Sequence, residues 1–246
     1  VQKMKYDFDQ VIDRKNTQSS KWDNVGVRVG NPDALPMWVA DMDFPCPKPL
    51  VDAVIRRAEH AVYGYSFVVP EFYEATIGWM KRQHGWDVKK EWLTFATGIV
   101  PVMNTMIQEY TKEGDEIIVQ QPVYHPFGFA IRDNKRIMSN NALIYRDGRY
   151  EMDFEDLEQR AKSPKAKLMI LCSPHNPVGR VWKEEELRRV GDICLENGVI
   201  LVVDEIHSDL IFRGNHHVSL AALDEKYAMN TVTCVAPSKT FNCAGV

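Results

Sequence analysis

Two short runs, KLMILC (167–172) and VILVV (199–203), are apolar at almost every position, and a stretch with helical spacing, KEEELRRVGDICLENG, lies between them. A strand apolar on both sides must be covered on both sides, and strands joined through a helix run parallel. The same alternation recurs along the chain. PLVDAVIRRAEHA and EFYEATIGWMKRQ predict helices, WLTFAT a strand, VPVMNTMIQEYTK a helix, DEIIVQ a strand and NTVTCV the last strand. Gly198 is placed to close the helix before VILVV. The expectation is therefore an α/β fold, a mostly parallel sheet between layers of helices. The first 45 or so residues, including the Pro-, Gly- and Asp-dense GNPDALPMWVADMDFPCP, read as an arm of loops and turns.

Composition removes several function classes. A formal net charge of −4 offers no footprint for nucleic acid. No apolar run approaches the roughly 20 residues that span a bilayer, and the polar start VQKMKYDFDQ has no signal-peptide core. The five cysteines are odd in number, scattered and without a Cys-x-x-Cys pair, which reads as free thiols in a reducing cytoplasm. Adjacent His216 and His217 lack a second ligand cluster, so they read as exposed loop histidines and no metal is expected.

In parallel sheets ligands gather beyond the carboxyl ends of the strands. The residues just past each strand are therefore informative: Gly98 and a helix start, QPVYHPF, SPHNPVG, DEIHSD and APSK. Each piece alone has an ordinary reading. Lys239 could be a solvated loop lysine, Asp204 a turn or cap residue, Asn176 a turn starter before proline, and Tyr124 a packed aromatic. Each also has a chemical reading. A lysine amine can form a Schiff base, and a buried carboxylate can hold a protonated pyridine nitrogen. An amide can donate to a phenolate oxygen, and an aromatic face can stack on a ring. The helix start at Gly98 can bind an anion, although TGIVPVM is neither a Walker loop nor a GxGxxG fingerprint. Glu205 is expected to point away from Asp204, because two like charges at one site repel. Taken together the pieces supply what pyridoxal 5'-phosphate (PLP) requires.

The motifs VADMDF, TGIVPVM, QQPVYHPF, CSPHNPVGRVW, VDEIHSDLIF and APSKTFNCAG span most of the chain in order. They resemble those of fold-type-I PLP enzymes of the aminotransferase superfamily, specifically the MalY/PatB-like C–S lyases (the cystathionine β-lyase and cystalysin group). The resemblance implies that Lys239 carries the cofactor and moves the substrate proton. It implies that Asp204 pairs with the pyridine nitrogen, Asn176 with the ring oxygen, and that Tyr124 stacks on the ring. Gly98, Ile99 and Val100 would bind the phosphate with Ser238 nearby. Ala40, Tyr65 and Asn176 would meet the substrate. Tyr65 would reach the cofactor of a neighbouring subunit, making a homodimer. Related aminotransferases carry a tyrosine where this chain has His207, which reads either as a cofactor contact of the lyase branch or as a core histidine.

For function, the resemblance implies α,β-elimination from cystathionine, cysteine or related S-substituted cysteines, giving pyruvate, ammonia and a thiol. Transamination would use the same residues, and a PLP-fold regulator of a transcription factor is the reading from another class. For organisation it implies residues 1–46 as an arm with part of a small domain and 47–246 as an incomplete large domain. A C-terminal small domain, with an arginine for the substrate carboxylate, would lie beyond a fragment of this length.

Overall fold

The computed structural model describes residues 6–246. The chain divides into two compact units: one holds the chain up to Tyr65 together with Pro237–Val246, the other Ser66–Ala236. The sequence reading places a single boundary at 46/47, so the two divisions are drawn differently.

The first unit begins with two short helices, α1 (Ser20–Asp23) and α2 (Val25–Val29), within otherwise irregular chain, followed by α3 (Lys48–Glu59). Ser19 caps α1 through its hydroxyl, which accepts the Trp22 N–H. The loop before α3 is held by charge. Asp43 accepts from Arg14 at 2.6 Å, Lys21 at 2.7 Å and the Trp22 indole at 2.8 Å, while Arg14 also binds Asp41. Burial alone would raise the Asp43 carboxyl, but these donors bring it down to about 2.

The second unit contains α4 (Pro70–His84), α5 (Ile99–Tyr110), β1 (Glu116–Val119), α6 (Pro126–Asp133), β2 (Ile137–Asn140), β3 (Ile144–Arg146), β4 (Arg149–Glu151) and α7 (Phe154–Ala161). It continues with β5 (Ala166–Cys172), α8 (Glu184–Glu196), β6 (Ile200–Asp204), α9 (Glu225–Ala228) and β7 (Thr231–Cys234). The last helix, α10 (Pro237–Thr240), returns to the first unit. Five strands form one parallel sheet in the order β2-β1-β5-β6-β7. Alternate residues of each strand feed two cores. Ile118, Met169, Leu171, Leu201 and Val203 pack with α7 and α8, whereas Ile117, Val119, Leu168, Ile170 and Val202 pack with α5 and α6. The result is the expected three-layer α/β arrangement.

The strand order turns back between β1 and β5. Chain leaving β1 crosses to β2 by α6 on one face, and chain leaving β5 crosses to β6 by α8 on the other. Crossovers diverging to opposite faces open a crevice at the carboxyl ends of those two strands. This is where Tyr124 and Asn176 lie.

The sequence reading departs from the structure in three places. WLTFAT is not a strand: residues 90–92 form a 3-10 turn, and Leu93 is extended but, like the residues after it, outside every sheet. Extended backbone becomes a strand only beside a partner, and none adjoins this segment among the described residues. The second departure is β2 and the β3–β4 hairpin, for which the sequence reading has no counterpart. β2 is a short, half-exposed edge strand, and the hairpin turns on Asp147 and Gly148, both at positive φ, as a two-residue turn of the I′ kind requires. Third, His217 is buried and not an exposed loop residue, although its neighbour His216 is exposed.

Among the described residues, no helix is long and apolar enough to cross a membrane, and no group of His, Cys, Asp or Glu is placed to hold a metal ion.

Candidate active site

Asp204 ends β6, in register with Cys172 of β5 and Cys234 of β7. The strand's alternation puts it on the side of Val202, toward α5, and leaves it only 5% exposed. One of its oxygens accepts the Ile206 N–H at 3.1 Å, which fixes the carboxylate. The two thiols beside it are held protonated. Burial first, and then the Asp204 charge, pushes Cys172 up and Cys234 up to about 12. Neither cysteine is a nucleophile in this setting. Burial also raises the Tyr124 phenol, with the Asp204 charge as the second cause, so Tyr124 stands within electrostatic reach of that carboxylate.

Glu205 is fully buried and turns to the opposite face, where it accepts from Ser219 at 3.0 Å and pairs with His217 at 3.2 Å. Like-charge repulsion and the strand pleat both demand this separation. The His217 ring meets His84 edge-on at 5.5 Å, and His84 together with the Trp79 indole binds Asp209. His207 is half-buried in the turn between Glu205 and Leu210, its carbonyl accepting the Leu210 N–H.

The Asn176 turn is held from several directions. Its own N–H donates to the Cys172 sulfur at 3.3 Å, and its carbonyl accepts the Tyr124 N–H at 3.0 Å. The loops after β1 and β5 are thus bonded directly across the crevice. Behind them, the His175 Nε2 donates to the Gln120 carbonyl at 3.2 Å, and the Trp182 indole donates to the Cys172 carbonyl at 2.9 Å. Arg180 lies over the Trp182 ring, grips Glu186 through both carboxylate oxygens at 2.9 Å, and donates to the Tyr150 carbonyl. The sequence reading missed this support. Its one signal was Glu186, which stands three residues after Lys183 and accepts that residue's N–H at 2.7 Å in the manner of a capping box.

His175 makes this support sensitive to acid. Burial, and then repulsion from Arg180, takes the ring from 6.5 down to about 4, so it is neutral at pH 7. The unfolded chain binds that proton below pH 6.5 and the folded chain refuses it until about 4. Stability therefore falls as pH drops through this window, by on the order of 3 kcal/mol. Urea unfolding at about pH 7 and about pH 4.5 measures the difference, and His175→Asn is expected to remove most of it. An equal acid loss in the variant would reassign the effect.

The fourth part of the site is the start of α5. Gly98 sits at φ +158° and ψ 164°, a conformation open essentially to glycine alone. No side chain caps the helix. Its first turn offers the N–H groups of Ile99 and Val100, whereas Pro101 has none to offer. Because α5 leads into β1 through a short connection at the sheet's amino edge, its own start points to the carboxyl edge. The helix dipole adds partial positive charge there.

One sheet edge thus collects Gly98, Ile99, Val100, Tyr124, Asn176 and Asp204. The other expected residues, Ala40, Tyr65, Ser238 and Lys239, belong to the first unit. Lys239 and Ser238 lie on α10, Ala40 is exposed, and Tyr65 is fully exposed.

Residues 38–246 match the family described as aminotransferase class I and II. The chain is 46% identical over 239 residues to cystathionine β-lyase PatB of Bacillus subtilis, covering 97% of this chain and 62% of that protein. It is 32% identical over 214 residues to the MalY protein of Escherichia coli, covering 87% of this chain and 55% of that one. The crystal structure of cystalysin from Treponema denticola, which contains a PLP cofactor, superposes with a TM-score of 0.94 at 40% identity, over 98% of this chain and 62% of that one. The chain therefore spans about 62% of the length of its curated relative from Bacillus subtilis.

Proposed function

As this chain belongs to the class I and II aminotransferase family, we propose that it serves a PLP-dependent carbon–sulfur lyase acting on cystathionine, cysteine or related S-substituted cysteines. The observation that carries the reading is Asp204: a carboxylate buried at the switch point edge, flanked by thiols that stay neutral and within electrostatic reach of the Tyr124 phenol. The relatives that match over nearly the whole chain, PatB and cystalysin, support it.

The donor set fits PLP. PLP, when bound, takes up the electron pair left when an amino acid loses its α-proton. Asp204 would hold a proton on the ring nitrogen, and the Asn176 amide would donate to the ring oxygen, with His207 as a further contact. Tyr124 offers a flat face, and the N–H groups at the start of α5 offer an anion site, to which Ser238 adds a hydroxyl. Lys239 supplies the amine that holds the cofactor and then carries the proton taken from the substrate's α-carbon. Ala40, Tyr65 and Asn176 would face the substrate. The reaction breaks the bond between the substrate's β-carbon and sulfur. The thiol leaves with a proton, and water converts the remainder to pyruvate and ammonia.

A homodimer accompanies this proposal. α3 buries none of its residues, and Val51, Val54 and Ile55 leave an apolar stripe exposed. Tyr65 follows on the same exposed stretch. We also place the protein in a reducing cytoplasm, which suits five free cysteines.

The test is direct. Protein loaded with PLP and incubated with L-cystathionine should release pyruvate and thiol in equal amounts. Keto-acid exchange with glutamate in the absence of pyruvate would overturn the lyase reading in favour of transamination.

A further inference from the structure

Three residues beyond Lys239 stands an asparagine that the mechanism does not use. Asn242 has φ +54°, in the left-handed region that asparagine tolerates better than most residues. Its side chain is spent entirely on the backbone of a segment 200 positions earlier. The Oδ1 accepts the Met42 N–H at 2.9 Å, while the Nδ2 donates to the Met42 carbonyl at 2.9 Å and the Phe44 carbonyl at 2.7 Å. Its own carbonyl accepts the Cys46 thiol at 2.8 Å. One residue thus satisfies backbone groups that a loop would otherwise leave to water.

Both partners of this tether are themselves anchored. On one side, Asp41 and Asp43 bracket Met42 and are bound by Arg14, Lys21 and Trp22. Arg14 also donates to the Met42 carbonyl at 3.2 Å. Ala40 is the residue immediately before this bracket. On the other side, the Phe241 N–H donates to Pro237 at 2.9 Å and the Cys243 N–H to Ser238 at 3.0 Å, so Asn242 is fixed to the turn that carries Lys239.

We propose that Asn242 is a positioning residue that locks the segment around Ala40 to the Lys239 turn, so that substrate-facing backbone and reactive amine are held as one piece. The inference rests on the lyase reading for the roles of Ala40 and Lys239, but the tether itself does not depend on it. Asn242 touches neither substrate nor cofactor in this scheme. It acts through the two segments it joins.

Amide hydrogen exchange tests the lock without reference to activity. In Asn242→Gly the backbone conformation is retained and only the side chain is lost. Exchange should accelerate by roughly tenfold or more at Met42–Phe44 and at 237–246 together, with the strands of the large sheet unchanged. Asn242→Asp should do no better, because a carboxylate cannot donate to the two carbonyls. In the PLP-loaded enzyme, Asn242→Gly should raise KM for L-cystathionine several-fold more than it lowers kcat, with visible PLP absorbance kept. Faster exchange in only one of the two segments, or in neither, would overturn the proposal, as would an unchanged KM. A wild-type protein inert toward cystathionine would overturn the lyase reading and leave the exchange result to decide the tether.

Discussion

Replacing Lys239 with alanine is expected to abolish pyruvate formation from L-cystathionine, lowering kcat by at least ~10⁴-fold. Two functions disappear with one amine. A positioned acid–base group contributes roughly 10²–10⁴-fold by itself, and the covalent attachment that Lys239 offers is lost as well. Apart from Ser238, the residues proposed to hold the cofactor's ring and phosphate, from Gly98 to His207, belong to 66–236 and are untouched by the change. The variant should therefore bind PLP without a covalent link, seen as visible absorbance that dialysis removes, whereas borohydride fixes the cofactor permanently on the wild type alone. Rates near those of wild type would remove Lys239 from its assigned role.

Asp204→Asn should produce the second largest loss. The substitution keeps the shape and deletes the charge. A buried carboxylate that balances a cation is worth on the order of 3–5 kcal/mol when one partner is removed, which is roughly 10²- to 10⁴-fold in rate. A second readout needs no cofactor. The Tyr124 phenol is raised by burial and then by the Asp204 charge, so neutralising Asp204 should lower its ionisation toward the ordinary range. Difference titration of phenolate absorbance, against Tyr124→Phe as the blank, measures this. An unchanged rate would reduce Asp204 to a turn residue. An unchanged Tyr124 titration would mean that the charge does not reach the ring.

Legibility of the chain tracks physical contrast. β1, β5 and β6 lie between faces of helices, and their apolar runs announce it. β2 does not stand out, because an edge strand with sequence IMSN has a solvated side and no hydrophobic period. WLTFAT misleads for the opposite reason: strand-like composition cannot supply a neighbouring strand. Within the site, Asp204, Asn176 and Tyr124 are legible because each lies just past an apolar run. Cys172, His175, Arg180, Trp182 and Asn242 are not. Their importance lies in distant partners, as in the bond from Trp182 to Cys172, 10 positions away, or from Asn242 to Met42, 200 positions away. No local pattern encodes such a pairing.

The adjacent acids at the end of β6 also bear on how this site could be altered. Asp204 faces the α5 layer and Glu205 faces the α8 layer, where Ser219 and His217 bind it. Two letters of the same charge therefore answer to different selective demands, one chemical and one architectural. Exchanging them would leave composition, net charge and motif length untouched. It would still send a longer carboxylate toward the two neutral thiols and leave His217 and Ser219 facing an acid one methylene too short. For redesign, the pair behaves as two independent positions that happen to be neighbours, and only the first is available for tuning reactivity.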